Sequence, residues 1–78
     1  MNYIAFQLTV KLQVLLFRDV DPETSNPIVN IYAYVTDEDE TDLIFEETVS
    51  FQNMESAKLY IGDFTEASAK TWCDNNIV

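Results

Sequence analysis

The chain has 78 residues and a formal net charge of −10, with fourteen acidic side chains against four basic ones. A chain of this length builds one core, so residues 1–78 are predicted to form a single domain, and a hydrophobic share of 47% argues against disorder. The charge disfavours direct binding of nucleic acid, because Lys and Arg contacts to phosphates supply most non-specific affinity.

Residues 3–17 alternate between apolar and polar side chains, which predicts a half-buried β-strand. Apolar residues occupy every second position: Ile4, Phe6, Leu8, Val10, Leu12, Val14 and Leu16. Fully extended, this strand would span about 50 Å, whereas a domain of this size has a diameter of roughly 30 Å. The strand must therefore bend, bulge or overhang the sheet, and the loss of alternation at residues 15–17 indicates a bulge or a switch of face there.

The polar positions of this strand also bear on targeting. Gln7, Thr9, Lys11 and Gln13 interrupt the apolar run, so it is neither a secretory signal nor a membrane span. Cys73 is the only cysteine, which excludes an internal disulfide and suits a reducing compartment. We expect a cytoplasmic protein in which Cys73 is a small packing residue of a helix.

Residues 18–27 contain two prolines and several turn-forming side chains, and they are predicted to form a loop. The acidic alternation that begins at Asp19 is similar to the start of a calcium loop. The glycine and the closing glutamate of such loops are replaced here by Thr24 and Asn30. A solvated turn is therefore expected, and no metal site.

Alternation returns over residues 28–36 and again over residues 42–51, which predicts a second and a third strand. Residues 37–41 are a polar connection of hairpin length, so these two strands should pair antiparallel. In the third strand Leu43, Phe45, Val49 and Phe51 are predicted to share one face, and Glu47 falls among these apolar positions. We interpret it as a carboxylate that protects a sheet edge, with a bulge beside Glu46 as the alternative.

The remainder of the chain changes to a helical period. Asn53 is the predicted N-cap, and apolar or small residues then recur every three or four positions. Gly62 interrupts this pattern, while Asp63 and Glu66 have the spacing of a capping box. Two short helices joined near Gly62 and one long kinked helix therefore both remain open. The predicted fold is α+β: a three-stranded antiparallel β-meander (β-β-β-α) covered on one face by a C-terminal helix.

Enzymatic chemistry is disfavoured by the residue types that the chain lacks. It has no histidine, which excludes histidine bases, Ser-His-Asp triads and histidine-ligated metal sites. Its single glycine, Gly62, cannot build a phosphate-binding loop. Glu46 and Glu47 are paired carboxylates, but neighbours on a strand point to opposite faces and cannot act together. We predict a non-enzymatic protein with no catalytic residues and no cofactor.

Two surface features favour protein binding. Acidic residues crowd the second hairpin, and tyrosines should stand on the sheet face that the helix leaves uncovered, because the residues between them are apolar. Tyrosine is enriched at protein interfaces, where it combines a large apolar area with a polar tip. The candidate partner-binding residues are Asp37, Glu38, Asp39, Glu40, Asp42, Glu46, Tyr32, Tyr34 and Tyr3.

Two functions follow from these features. In the first, the carboxylates imitate phosphates and occupy a basic surface of a partner, such as a nucleic-acid-binding protein, as small acidic inhibitors of the phage anti-CRISPR or anti-restriction type do. In the second, the long first strand pairs with its own copy, and the protein is a homodimeric assembly module. The alternative to both functions is that the acidic loops only keep a small protein soluble, and that the tyrosines only pack across strands on a solvated sheet.

Overall fold

The computed structural model of the protein describes residues 3–76 as one open antiparallel sheet of four strands with two helices, in the strand order β1-β2-β3-β4. The elements are β1 Tyr3–Gln7, β2 Leu12–Val20, β3 Pro27–Asp37, β4 Glu40–Ser50, α1 Met54–Asp63 and α2 Glu66–Asn76. The predicted α+β class and antiparallel meander are confirmed. The number of strands is wrong, because the sheet has four strands and not three.

The missing strand comes from the first segment, which folds back on itself. β1 and β2 pair antiparallel, with Ile4 opposite Leu16 and Phe6 opposite Val14. The connection is closed by the Leu8 N–H, which donates to the Leu12 carbonyl at 2.9 Å. The hydroxyl of Thr9 accepts from the backbone N–H of Leu12 at 3.0 Å. The predicted length conflict is thus resolved by a hairpin, and no bulge lies at residues 15–17 of this described pair.

The alternation of the sequence did not reveal this turn, for a geometric reason. Each pair in the hairpin joins two even-numbered or two odd-numbered positions, as in Phe6 opposite Val14. All even positions therefore face the same side of the sheet on both strands, as they would in one continuous strand. Thr9 and Val10 are β-branched residues that favour strands, so local propensity did not mark the turn either.

The second hairpin is tighter than predicted. β3 ends at Asp37 and β4 begins at Glu40, which leaves only Glu38 and Asp39 as the connection instead of residues 37–41. Glu38 has a φ of 56°, in the left-handed region that two-residue hairpins require and that glycine adopts most easily. At the other end of the sheet, β2 extends to Val20, so the predicted loop is shorter as well.

A bulge interrupts β4, although not beside Glu46. Ala33 is opposite Phe45 and Tyr34 is opposite Leu43, so Ile44 is the extra residue. The bulge puts Phe45 on the face that packs against the helices and Leu43 on the other face. The sequence pattern had placed Leu43 and Phe45 on one face, which is wrong because an inserted residue reverses the alternation.

The core lies between the helices and one face of the sheet. Val14, Leu16, Val29 and Ile31 are fully buried there. The helices complete the same cluster with Ala57, Ala69, Trp72 and Cys73. Cys73 is therefore a packing residue, and its burial, followed by the nearby charge of Asp74, raises the pKa of its thiol.

The C-terminal segment forms two helices, the first of the two predicted alternatives. Asn53 caps α1 as predicted, since its side chain accepts from the Ser56 N–H at 2.9 Å. The predicted capping box of Asp63 with Glu66 is wrong, because Asp63 is the last residue of α1. Thr65 caps α2 instead, accepting from the Ser68 N–H at 3.1 Å.

Glu47 has a role that its position alone did not reveal. β4 is an edge strand of the described sheet, as the edge-protection interpretation requires. The carboxylate nevertheless accepts a hydrogen bond from the Trp72 indole N–H at 3.1 Å. Glu47 is opposite Ile31 and so points to the helical side, where it ties β4 to α2. Glu47 was interpreted from its position in the strand pattern, whereas its observed partner, Trp72, is distant in sequence.

Candidate functional site

The sheet face opposite the helices, called the open face here, carries a continuous group of aromatic rings. Because Ile31 and Ala33 are fully buried under the helices, Tyr32 and Tyr34 point to the opposite side. Ring centroids are separated by 5.6 Å between Tyr3 and Phe17, by 6.0 Å between Phe17 and Tyr32, and by 6.2 Å between Tyr32 and Tyr34. These four residues form the aromatic strip, which crosses β1, β2 and β3.

The aromatic strip stays open to solvent. Tyr3 is 50% exposed and Phe17 38% exposed, while Tyr32 and Tyr34 are half-buried by their neighbours in the sheet. Leu43, which is 46% exposed and lies opposite Tyr34, extends the apolar area onto β4. The described helices pack on the other face and cover none of these rings. This is the kind of exposed patch that marks an interaction surface.

One carboxylate lies beside the centre of the aromatic strip, and a second lies further along the same face. Glu46 is directly opposite Tyr32 on β4, and Asp19 lies on β2 at the loop end of the same face. The pKa of the Tyr32 hydroxyl is raised above its usual value, chiefly by partial burial and then by the charges of Glu46, Tyr34 and Asp19. The carboxylate of Glu46, opposite Tyr32 on the neighbouring strand, would favour a cation placed beside the ring.

The predicted acidic residues of the second hairpin lie at one end of the sheet. We call this set the acidic hairpin: Asp37, Glu38, Asp39, Glu40 and Asp42. All five are exposed. Tyr34 precedes Asp37 by three positions on β3, so the acidic hairpin begins about 10 Å along the strand from the aromatic strip. Asp42 is opposite Val35 and Asp37 is opposite Glu40, so these three acids lie on the helical side of the two strands, and the acidic hairpin occupies the end of the sheet beyond both faces.

One of these acids is already paired. The Lys11 ammonium lies 3.1 Å from an Asp37 carboxylate oxygen, and both side chains are well exposed. The Thr36 N–H also donates to the Lys11 carbonyl at 2.8 Å, which holds the first turn beside the acidic hairpin. Lys11 therefore offsets part of the charge at this end, while Glu38, Asp39 and Glu40 extend beyond it.

A second acidic group, Asp19, Asp21 and Glu23, lies at the opposite end of the sheet, at the end of β2 and in the connection to β3. Asp21 accepts from the Glu23 N–H at 2.8 Å, and Asp19 accepts from the Val20 N–H at 2.8 Å. These hydrogen bonds shape a turn, as expected for this loop. Within residues 3–76, no group of three Asp, Glu or Cys side chains is placed to hold a metal ion.

The basic side chains lie away from the aromatic strip. Arg18 is opposite Val29, a core residue, and so belongs to the helical face of β2. Lys58 is on α1 and Lys70 on α2, while Lys11 is in the first turn. Among the strand residues described for the open face, none is basic. The negative charge of this face is therefore not compensated from within the face.

Phe17 and Leu43 belong to this surface although they were not among the predicted site residues. For Phe17 a signal existed, since the alternation fails at residues 15–17 and both faces become apolar. For Leu43 no local signal existed, because its face depends on the bulge at Ile44. Both residues enlarge the apolar area that a partner would contact.

Comparisons with protein-family models, curated proteins and solved structures gave no match to this chain. The site is therefore interpreted from its geometry alone. Over the part of the chain that the structure describes, neither helix has the length and apolar character needed to cross a bilayer.

Proposed function

We propose that this protein is a non-enzymatic binding protein that occupies a basic surface of a partner protein through its acidic hairpin and open face. The observation that carries the proposal is the position of the aromatic strip between two acidic groups, on a face whose described strand residues include no base. Aromatic area supplies affinity, and an uncompensated negative field supplies steering and selection for a basic partner.

The spacing of the two acidic groups supports a more specific form of this proposal, mimicry of nucleic acid. They lie at the two ends of β3, whose eleven residues span about 33 Å at the usual strand rise. One turn of B-DNA has a length of about 34 Å. A protein surface that contacts phosphates one turn apart would therefore meet carboxylates at a similar separation. The function would be inhibition of a nucleic-acid-binding protein, of the anti-CRISPR or anti-restriction type.

The test is capture of a partner from a lysate of the native host on immobilised protein, at low and high salt, with and without competing duplex DNA. We expect a basic nucleic-acid-binding protein to be captured at low salt. High salt should release it by screening exposed charges, and duplex DNA should displace it by competing for the same surface.

Two charge-reversal variants distinguish the effect of the acidic hairpin on capture from the effect of net charge. Asp39→Lys with Glu40→Lys should abolish capture, and these positions avoid both the Asp37 ion pair and the backbone constraint at Glu38. Asp63→Lys with Asp74→Lys changes the net charge by the same amount at helix C-terminal ends, where lysine suits the dipole. This second variant should retain capture. Unchanged capture by the hairpin variant would rule out the mimic.

Self-assembly remains the competing proposal, although one of its premises is corrected. The over-long first strand is not present, because β1 is a strand of five residues paired with β2. β1 is nevertheless a sheet edge with no charged side chain, which suits pairing with its own copy. Sedimentation distinguishes the two functions: a concentration-dependent homodimer, insensitive to salt and to the hairpin variant, would favour assembly.

A further inference from the structure

We propose that the open face recognises arginine side chains of its partner, with guanidinium planes stacked on the aromatic strip and hydrogen-bonded to Glu46 and Asp19. This inference rests on the proposed function, since it names the chemistry through which a basic partner is bound. It goes further in one respect: it distinguishes arginine from lysine, which general electrostatic attraction does not.

The geometry at Tyr32 carries this inference. Its ring lies at the centre of the aromatic strip, 6.0 Å from Phe17 and 6.2 Å from Tyr34 between centroids. Glu46 is directly opposite on β4. Asp19 follows Phe17 by two positions on β2, so it lies on the same face beside the Phe17 ring. An exposed aromatic surface is thus flanked by two acceptors, on a strand with no basic side chain of its own.

Arginine fits this arrangement better than any other side chain. Its guanidinium is planar and weakly hydrated, so it stacks on an aromatic ring while its edge donates to carboxylates. The ammonium of lysine is a compact and strongly hydrated charge, which can pair with Glu46 or Asp19 but does not stack as a plane. The aromatic strip should therefore add affinity for arginine beyond the charge effect that both residues share.

The test is titration of the intact protein with two peptides, hexa-arginine and hexa-lysine, at physiological ionic strength. NMR chemical shifts locate binding, and calorimetry measures the two dissociation constants. We expect both peptides to bind the open face. Hexa-arginine should bind more tightly by about 2- to 5-fold for each stacked arginine.

Variants then test whether the aromatic strip is the source of the preference for arginine. Tyr32→Leu should lower the ratio of the two affinities toward one while it leaves hexa-lysine binding nearly unchanged. Tyr34→Leu provides a second, independent variant should Tyr32→Leu fail to fold. Leu43→Ala is the matched control, because it removes apolar area from the same face without removing a ring, and it should preserve the ratio. Glu46→Gln should weaken the binding of both peptides.

The outcomes separate this inference from the proposed function. Equal affinity for the two peptides would overturn arginine recognition but leave binding of a basic surface intact. Absence of binding by either peptide would overturn both. A preference for arginine that persists in both tyrosine variants would also overturn the inference, since stacking on the aromatic strip would not be its source.

Discussion

The two faces of the sheet are built from the same strands but do different things. On β2, Leu16 is fully buried under the helices while its neighbour Leu15 lies half-buried on the open face. On β3, Ile31 is fully buried while Tyr32 remains partly open to solvent. One face therefore supplies the stability of the domain, and the other keeps apolar and aromatic area available.

This difference matters more in a small protein than in a large one. A domain of this length buries only about 60–65% of the surface that its unfolded chain exposes, so every apolar side chain left outside is a loss of stability. Phe17 and Tyr3 are partly exposed on the open face, so they do not contribute the stabilisation that full burial would give. The aromatic strip is thus a stability cost that binding to a partner would recover.

The largest expected effect comes from truncating a leucine on each face. Leu16→Ala should lower the free energy of unfolding by about 2–5 kcal/mol, because it leaves a cavity in the core. Leu15→Ala removes the same atoms from the half-buried face and should cost about 1 kcal/mol. Urea denaturation followed by Trp72 fluorescence measures both values. Equal losses would mean that the open face is packed as tightly as the core.

A smaller effect is expected where β4 is tied to the helices. Glu47→Ala removes the acceptor of the Trp72 indole N–H and should cost about 1 kcal/mol. Glu47→Gln retains a side-chain acceptor and should lose less than half of that. Glu46→Ala, on the open face of the same strand, is the positional control. The hydrogen bond would be unimportant if all three variants had the same stability.

The acidic hairpin offers a stabilising substitution. Glu38→Gly should raise the free energy of unfolding by roughly 0.5–1 kcal/mol relative to Glu38→Gln, because glycine adopts a positive φ without the clash of a Cβ atom. Both variants remove the same charge, so their difference isolates the backbone. Thermal denaturation of the two proteins gives the comparison. A Glu38→Gln protein as stable as Glu38→Gly would contradict the left-handed conformation.

The smallest effect concerns ionisation on the open face. The pKa of Tyr32 is raised in the folded protein, first by partial burial and then by Glu46. The folded state therefore holds the phenol proton more tightly than the unfolded state, and stability declines as the pH rises from the usual tyrosine value through the raised one.

Glu46→Gln tests this electrostatic coupling directly. It should lower the pKa of Tyr32 toward its usual value without reaching it, because the effect of burial remains. An NMR titration of the Tyr32 ring resonances measures the change. Glu55→Gln, on α1, is the distant control and should leave the titration unchanged. The same pKa in the wild type and in Glu46→Gln would show that the two side chains are not coupled.

Much of this surface could be predicted from the sequence. Alternation at Ile31, Tyr32 and Ala33 assigned the tyrosines to the uncovered face, and Asn53 marked the start of α1. The helical period with its interruption near Gly62 left two alternatives, of which the structure has the two-helix form. Local patterns were sufficient here because each depends on the residue and its immediate neighbours in the chain.

Other features depended on residues far apart in sequence. No local sequence signal indicated the turn after Gln7, the bulge at Ile44 or the hydrogen bond from Trp72 to Glu47. The capping-box spacing at Asp63 was a local signal, but it was misleading. In the first hairpin, even-numbered positions pair with even-numbered positions, so the alternation continues through the turn and does not reveal it.

The sequence by itself determined the class of the fold, the absence of histidine chemistry, the acidic character and which side of β3 carries tyrosine. Only the tertiary structure decided that β1 folds back on β2, so that Tyr3 and Phe17 join Tyr32 and Tyr34 in one strip. The physical reason is that alternation fixes the face on which a side chain lies, whereas strand pairing fixes its neighbours on that face.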